Sequence, residues 1–412
     1  MGGRKRKLLC VACPALVALV AAGLALPQPA DGASSPWSLA LIASTTGPAA
    51  TQFADAPQGF LARIDLQNAR GGVDGRRIVP MVLNDNTDPT QAATAAQEAI
   101  TRGAVGIVAA SPVFFAGDKY PEQAGIPVTG ASVDGPEWGE RPFTNMFASD
   151  VGSLNPTYPA GTQLGTFLVH HGGTVIATYG YGIAPLSAHS AETAAQSFDH
   201  AGGRTGVLDT SVPFGAVDFT TAALVAKTKG VDAVYAGLQN DSNVALLAAL
   251  QQAGVKLKAA LFPTGFEPGL VGTPAWKYLV GDYFLAEFRP FQLPDAATAT
   301  MAAALRRYAH RAPSDFADFG VYEGWLGADL MIKGLELAGA HPTPARVITA
   351  LRHLRAYDGG GLLPETIDYA TVFGRGPVPA CDWYMRAERN GFVPVSSRPF
   401  CGRPIPGTGL KP

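Results

Sequence analysis

The sequence predicts an α/β fold whose central sheets are parallel, and two observations carry that prediction. Short apolar runs typical of buried strands alternate with helical segments along most of the chain. Two such series follow one another, over residues 39–129 and 174–262. Because parallel strands require a crossover that is usually a helix, this alternation favours parallel sheets in two successive halves.

The first series opens with a unit in which each segment has a local signal. Residues 39–43 are apolar and predict a buried strand, and Thr-Thr-Gly-Pro at residues 45–48 predicts a turn. The next segment places Phe60, Leu61 and Ile64 on one face of a helix. The order is therefore strand, loop and helix.

The same unit continues with a helix end, a strand and a helix start. Gly71 and Gly72 can adopt the left-handed conformation that ends a helix, and residues 78–83 predict the second strand. Asp88 fits an N-cap because Pro89 would then occupy the first helical position. The two strands of the unit should accordingly pair in parallel.

The remaining elements rest on the same signals. In the two series we predict helices over residues 89–102, 113–124, 157–171, 185–201, 218–229 and 241–253, and strands over residues 105–109, 126–129, 174–179, 231–236 and 259–262. After them we predict strands at residues 283–287, 367–373 and 383–387, and helices at residues 296–310, 316–338 and 344–354. The Pro- and Gly-rich stretch from Pro399 predicts loop or disorder.

Composition bounds the class of protein. A chain of 412 residues is long enough for two or three domains, or for two lobes. Hydrophobic residues make up 47% and charged residues 16%, which supplies sizeable cores and argues against a disordered chain. The net charge is −2 and no basic stripe is present, so nucleic acid is not an expected partner.

The N-terminus carries a secretion pattern. Residues 4–7 are all Arg or Lys, residues 8–26 are largely apolar, and small and polar residues follow as far as Gly32. We therefore predict a signal peptide over residues 1–32, cleaved before Ala33, and an extracytoplasmic location. An uncleaved membrane anchor is the alternative, because the apolar run is about long enough to span a bilayer.

Two of the four cysteines fall in this leader, which leaves Cys381 and Cys401. Two cysteines in an exported chain more often pair than stay free, so we predict a disulfide. It would close a loop of about 20 residues and contribute about 3 kcal/mol by the chain-entropy model. A catalytic thiol or a metal ligand is less favoured, since no histidine motif accompanies either cysteine.

Enzymatic motifs are missing from the sequence. It contains no G-x-S-x-G, no G-x-G-x-x-G after a strand and no P-loop. The glycines of residues 71–75 follow a helix and precede a strand, which is the wrong order for a phosphate cradle. His170 and His171 are adjacent instead of four apart, so they do not suggest a metal site. No cofactor and no metal are predicted.

Ligands of open parallel sheets bind beyond the carboxyl ends of the strands. That rule selects loops with hydroxyl, amide or carboxylate groups beside aromatic residues, which suit a small-molecule site: residues 44–48, 111–115, 130–138, 179–187, 239–243 and 264–267.

One run of about fifty residues carries a family resemblance. Thr46-Gly47-Pro48 is followed by Asn68 with Gly71, Gly72 and Gly75, and then by Asp85 with Asp88-Pro89. In order and spacing this run resembles the type I periplasmic binding proteins, in particular the leucine/isoleucine/valine-binding-protein-like solute receptors of ABC transporters. We interpret Asp85 as a polar residue at a strand end.

The resemblance implies two Rossmann-like α/β lobes joined by a three-segment hinge. Its crossovers would lie near residues 148–154, 281–287 and 357–361. The domains would be a signal peptide (residues 1–32), lobe one (residues 34–150 and 287–357), lobe two (residues 151–286 and 358–400) and a C-terminal tail (residues 401–412).

The resemblance also implies a ligand site between the lobes. Ser111 matches a serine that binds a ligand carboxylate, and Glu267 is placed where an acid pairs with a ligand ammonium group. Val133 and Asp134 are departures at a small residue and a hydroxyl residue, and Gln52 is a departure at an aromatic position. The full predicted set of ligand-binding residues is Thr46, Phe53, Ser111, Pro112, Ser132, Val133, Asp134, Tyr179, Tyr181, Gln239, Asn240 and Glu267.

The function that follows from this resemblance is not enzymatic. We expect a monomeric receptor that captures a small molecule, such as an amino acid or a related amide or carboxylate, and passes it to the permease subunits of an ABC transporter. One alternative is a ligand-sensing module on the same fold. A secreted hydrolase that uses Asp134, Glu267 or His189 is a weaker alternative, because no nucleophile–base motif supports it.

Overall fold

The first lobe is built on an all-parallel sheet. The computed structural model describes residues 1–2, 35–133, 135–138, 143–150, 159–312, 318–372 and 381–408. The elements of the first segment are β1 (Trp37–Ala43), α1 (Ala50–Phe53), α2 (Ala56–Ala69), β2 (Ile78–Asn84), α3 (Pro89–Thr101), β3 (Gly106–Ala110), α4 (Lys119–Ala124), β4 (Val128–Gly130) and β5 (Met146–Ala148). Their strand order is β2-β1-β3-β4-β5.

The second lobe repeats the alternation and adds an antiparallel edge. Its elements are α5 (Thr162–His170), β6 (Val175–Tyr181), α6 (Pro185–His200), β7 (Arg204–Val212), α7 (Thr220–Lys229), β8 (Ala233–Gly237), α8 (Asn240–Gln252), β9 (Ala259–Phe262), α9 (Trp276–Leu279) and β10 (Tyr283–Ala286). Strands β7-β6-β8-β9-β10 are parallel. Strand β7 was not predicted, since much of it is partly exposed and not a continuous apolar run.

Three longer helices follow β10 in the described part of the chain, and after one further short helix the chain returns to the second sheet. The helices are α10 (Ala296–Ala304), which continues as a π-helical turn over Leu305–Ala309, α11 (Phe319–Leu337) and α12 (Pro344–Arg352). The last elements are α13 (Tyr369–Val372), β11 (Cys381–Glu388), β12 (Gly391–Pro394) and β13 (Phe400–Cys401). Strand β11 pairs antiparallel with β10, β12 and β13. The chain thus has two α/β lobes with parallel-dominated sheets, as predicted.

Local signals explain where the elements of the opening unit begin and end. Asp88 caps α3 by accepting a hydrogen bond from the backbone N–H of Gln91 at 2.9 Å, with Pro89 at the first helical position. Gly71 and Gly72 have φ values of 103° and 78° after α2. Asp85 is fully buried and accepts a hydrogen bond from Ser44 Oγ at 2.7 Å, so it ties the end of β2 to the end of β1.

Helix α11 completes the first lobe. It packs against α2, β3, β4 and α12, and most of its length is buried. After β10, Phe288 stacks on Tyr322 of α11 with ring centroids 3.8 Å apart. The chain after β10 therefore contacts α11 at Phe288, while the predicted division into lobes stays a prediction.

Part of the stretch that we predicted as lobe two contacts lobe one. Tyr357 Oη donates to Asp329 of α11 at 3.1 Å, and beyond it Tyr369 packs edge-on against Phe147 of β5. The chain joins the second sheet at Cys381. The predicted strand over residues 367–373 is wrong, because Asp368 accepts a hydrogen bond from Ala370 N at 3.0 Å and so starts helix α13.

The C-terminal stretch is not a free tail over the part that the structure describes. Arg403 and Thr162 exchange hydrogen bonds at 3.0 Å, and Ile405 is 6% exposed and donates its N–H to Ala160. Cys381 and Cys401 face each other on β11 and β13, close enough to form the predicted disulfide. Residues 402–408 therefore belong with lobe two, held by a buried apolar anchor.

The described residues from Pro36 onward form one compact unit. Within the described ranges, no helix is both long enough and apolar enough to cross a membrane. The predicted signal peptide lies outside the described residues, apart from Met1 and Gly2.

Candidate functional site

A cavity of about 210 Å³ lies where the two lobes meet. Lobe one contributes residues that follow its strands, the second half of α1 and the first residue of α11: Gln52, Phe53, Pro112, Ser132, Val133, Asp150 and Phe319. Lobe two contributes Tyr181, Ala184, Leu186, Ser187, Phe214, Gly237, Leu238, Gln239, Pro263 and Thr264 at the ends of its strands, and the cavity continues toward Gln163, Asp382 and Arg403. The walls are mostly apolar with a few polar groups, as in small-molecule sites.

The lobe-one wall combines an aromatic pair with a fixed carboxylate. Phe53 contacts Phe319 edge-on, with ring centroids 5.7 Å apart, so α1 and the start of α11 share one apolar surface. After β4, Ser132 donates its N–H and Oγ–H to the carboxylate of Asp150 at 3.2 and 3.0 Å. These bonds hold Asp150 at the end of β5, facing the cavity.

The lobe-two wall is organised by Tyr181 at the end of β6. Its Oη donates to Ser242 Oγ at 2.8 Å and accepts the N–H of Gln239 at 3.0 Å, and its ring lies 4.9 Å from that of Phe214. Burial raises the pKa of the Tyr181 phenol, so the hydroxyl stays neutral. Tyr181 thereby fixes the loop that carries Gln239.

Gln239 presents a buried polar group to the cavity. The residue is 5% exposed and lines the cavity, and its Nε2 has no hydrogen-bond partner within the described part of the chain. A buried donor without a partner is costly. A ligand acceptor at this position would remove that cost.

Six of the predicted ligand-binding residues line the cavity, namely Phe53, Pro112, Ser132, Val133, Tyr181 and Gln239. Asp134 lies outside the described residues. The structure does not bring Thr46, Ser111, Tyr179, Asn240 and Glu267 to the cavity lining, so a ligand role for any of them remains a proposal.

Two of these outlying residues stabilise loops of lobe one. Thr46 is exposed, and its Oγ1 bonds to the side chains of Asn84 and Asn86 at 2.6 Å. Ser111 is 1% exposed; its Oγ accepts the N–H of Val113 at 3.1 Å and lies 3.2 Å from Ser44 Oγ. Both therefore shape the turns beyond β1 and β3.

Two others are buried polar residues of lobe two. The Tyr179 hydroxyl has no hydrogen-bond partner within the described ranges, and burial raises its pKa. Asn240 is the first residue of α8, and neither its Oδ1 nor its Nδ2 has a partner there. Such groups are rarely left unpaired in a native interior, although they lie beside, and not in, the cavity lining.

Glu267 forms part of the contact between lobes. Its carboxylate accepts a hydrogen bond from the backbone of Phe319, at the start of α11. Burial and then the neighbouring Asp318 raise its pKa well above the ordinary value. In this structure its position suits lobe-to-lobe contact more than pairing with a ligand ammonium group.

Sequence reasoning missed an acidic part of the lining. Asp150, Glu287 and Asp382 line the cavity, and Arg403 is on the same surface. Burial and then the charge of Asp150 raise the pKa of Glu287, and burial and then Glu365 raise the pKa of Asp382 to about 7. Asp150 and Glu287 fall in the predicted crossovers, which is a signal that could have selected them.

One group of side chains could hold a cation. Asp150, Glu287 and Glu323 each bring a carboxylate oxygen within 4.8 Å of the other two. They come from the end of β5, the segment after β10 and the interior of α11. Carboxylate oxygens are the ligands that hard divalent cations prefer.

Comparisons with known proteins agree with this architecture. A family model described as periplasmic binding protein matches residues 36–385. The chain is similar to the leucine-, isoleucine-, valine-, threonine- and alanine-binding protein of Pseudomonas aeruginosa, at 27% identity over 326 residues that cover 76% of this chain and 81% of the relative.

Two solved structures share the fold. The solute-binding protein of an ABC transporter from R. palustris, in complex with benzoate, aligns with a TM-score of 0.70 and 17% identity over 92% of this chain and 100% of its own. A leucine-binding protein from Thermotoga maritima aligns with a TM-score of 0.71 and 15% identity over 87% and 98%. The family model matches most of the chain and the two structures share its fold, so this protein belongs to the type I periplasmic binding protein family.

Proposed function

We propose that this protein is an extracytoplasmic receptor that captures a small amphipathic molecule, an amino acid or a related amide or carboxylate, and delivers it to an ABC transporter permease. The observation that carries the proposal is the cavity, because both lobes line it and polar residues such as Ser132, Asp150 and Gln239 follow strand ends there. Solute binding for ABC transporters is the family's function, while the ligand and the delivery step belong to the proposal.

The two-sided lining supports capture by hinge closure. Phe53 and Ser132 belong to lobe one, and Tyr181 and Gln239 belong to lobe two. A ligand can contact all four only when the lobes are together. Binding energy from both walls therefore favours the closed form, and a permease can recognise that form.

The lining suggests how a ligand would be oriented. Phe53, Phe214 and Phe319 supply apolar surface, and Gln239 Nε2 offers a buried donor. Asp150 and Glu287 place negative charge on one side. The Pseudomonas aeruginosa relative is named for leucine, isoleucine, valine, threonine and alanine, and the R. palustris protein was solved with benzoate, so both kinds of molecule are first candidates.

The direct test is a ligand screen with a conformational readout. Purified protein would be titrated with leucine, isoleucine, valine, threonine, alanine, glutamine and benzoate by thermal shift and calorimetry. Small-angle scattering would follow lobe closure. A ligand that raises Tm and compacts the protein is expected. Absence of both effects across aliphatic amino acids, amides and aromatic acids would contradict the proposal.

A variant at Gln239 tests whether this cavity is the site. Gln239→Ala should weaken binding of the ligand found by about 1–3 kcal/mol, because a buried hydrogen bond to the ligand is lost. Gln251→Ala is the matched control and should bind normally, since Gln251 is an exposed glutamine near the end of α8, the helix that begins directly after Gln239. Equal affinity of the Gln239 variant and wild type, measured by calorimetry, would place the ligand elsewhere.

Sensing instead of transport is the remaining alternative for the same fold. Ligand-dependent capture of the protein by reconstituted permease subunits supports transport. Ligand-dependent capture by a membrane receptor, with none by a permease, would favour sensing.

A further inference from the structure

We propose that Asp150, Glu287 and Glu323 form a binding site for a divalent cation, Ca²⁺ in the first place, at the hinge between the lobes. The inference does not rest on the proposed solute-binding function. It rests on the geometry of these three carboxylates, on the burial of Glu323 and on the chemistry of the oxygens.

The geometry suits a single ion. Because the three oxygens lie within 4.8 Å of one another, a point exists within about 2.8 Å of all of them. Calcium takes oxygen ligands at about 2.3–2.6 Å in flexible arrangements, so small side-chain movements would complete the contacts. Asp150 and Glu287 also line the cavity, which provides an entry path and room for water as further ligands.

The buried and unpartnered carboxylate of Glu323 distinguishes this site from an ordinary cluster of acidic residues. It is 0% exposed, and neither Oε1 nor Oε2 has a hydrogen-bond partner within the part of the chain that the structure describes. The charged groups that act on it, Asp150 and Glu287, are both acids. A dry carboxylate beside two others is strongly unfavourable unless a proton or a cation compensates it.

The identity of the ion follows from the ligand set. The three side chains provide oxygen ligands without a histidine or a cysteine, which favours Ca²⁺, Mg²⁺ or Mn²⁺ over zinc or copper. Mg²⁺ requires near-ideal octahedral geometry and gives up its bound water molecules reluctantly. Ca²⁺, in contrast, accepts irregular arrangements of carboxylate ligands. Three carboxylates from three separate segments are an irregular cage, so Ca²⁺ is the better match.

Such an ion would also link the crossovers. Asp150 follows β5, Glu287 follows β10, and Glu323 belongs to α11, so the three lie on segments at or near the predicted crossovers. A cation shared by the three would neutralise the acidic side of the cavity. Without a cation, the negative charge of these residues would repel the carboxylate of a ligand.

The experiment uses the full chain, stripped with EDTA and dialysed into metal-free buffer at pH 7. CaCl₂, MgCl₂ and MnCl₂ would be titrated by calorimetry and thermal shift without any organic solute. We expect one Ca²⁺ per chain and a higher Tm with Ca²⁺ than with Mg²⁺. Glu323→Gln and Glu287→Gln should each weaken Ca²⁺ binding at least about tenfold, because each removes a charged ligand.

Asp118→Asn is the matched control, since Asp118 is another buried carboxylate of lobe one, outside the cluster. Its Ca²⁺ affinity should equal that of wild type. No Ca²⁺ binding by wild type, or unchanged affinity in both glutamine variants, would overturn the proposal. Stabilisation by methylammonium chloride with no response to the metals would also overturn it, by giving the site to an organic cation. If the Glu323 variant fails to fold, the Ca²⁺ affinity of the Glu287→Gln variant decides, because Glu287 is only partly buried.

Discussion

Gly59→Ala is expected to lower the free energy of unfolding by about 3 kcal/mol or more, as overpacking does when nothing flexible can yield. Gly59 lies on α2 where it crosses α11. A Cβ atom there would lie 1.9 Å from the carbonyl oxygen of Val321, and one at Gly324 would lie 2.0 Å from that of Ala56. Both obstacles are backbone atoms, so the two helices would have to move apart.

Urea denaturation followed by circular dichroism measures the loss. Gly269→Ala is the matched control, because a Cβ there would meet no atom within 4 Å. Its free energy of unfolding should stay within about 0.5 kcal/mol of wild type, as for ordinary surface changes. A Gly59 variant as stable as this control would mean that α2 and α11 do not pack as closely as described.

Movement of α11 away from α2 would also affect the cavity and the carboxylate cluster. Helix α11 carries Glu323 within the carboxylate cluster, and Phe319 at its start lines the cavity. Displacing α11 from α2 would shift both. Gly324→Ala is therefore expected to weaken ligand and cation binding as well as folding, although neither glycine touches a ligand position.

The parts of the fold that could be predicted from the sequence are those with local signals. Asp88 and Pro89 mark a helix start, and residues 39–43 form a buried strand, because each signal acts within a few residues. The strand predicted at residues 367–373 failed for a related reason. The hydrogen bond that starts α13 comes from Asp368 itself and outweighs the strand preference of its neighbours.

The site was harder to predict because its members are far apart in sequence. Asp150, Glu287 and Glu323 meet only because the chain leaves lobe one, returns and adds α11. None has a motif around it. Residues after strand ends, such as Ser132, Tyr181 and Gln239, could be found because the topology of a parallel sheet places those ends on one side. Glu267 follows a strand too, but it packs against the start of α11.

Stability should fall as pH rises from about 5 to about 8, measured by thermal or urea unfolding in EDTA. Burial raises the pKa of several carboxyl groups: Asp318 and Asp382 to about 7, Glu365 to about 7, and Glu287 and Glu323 well above 4.5. Between their unfolded and folded pKa values the folded chain holds protons that the unfolded chain releases. For each such proton, the free energy of unfolding falls by about 1.4 kcal/mol for every unit by which the pH rises.

A carboxyl group with a lowered pKa has the opposite effect on stability, but it acts below the range of pH 5 to 8. Hydrogen bonds to Lys258 and Thr174 outweigh burial and lower the pKa of Asp232 to about 2, so its stabilisation is lost only as pH falls below about 4. Maximum stability is therefore expected near pH 5. A flat or rising profile from pH 5 to 8 would show that these carboxyl groups are ionised in the folded chain.

Asp382→Asn tests the origin of this slope at one residue. The amide has nearly the same shape and cannot ionise. The free energy of unfolding of the variant should therefore fall less steeply with pH, by up to the contribution of one proton, and should exceed that of wild type at pH 8. Asp74→Asn changes the net charge equally at an exposed position and should leave the slope unchanged. If both variants show the wild-type slope, Asp382 is not one of the groups responsible. Adding Ca²⁺ then separates two causes: an ion at the hinge would reduce the slope through Glu287 and Glu323 while the share of Asp382 remains.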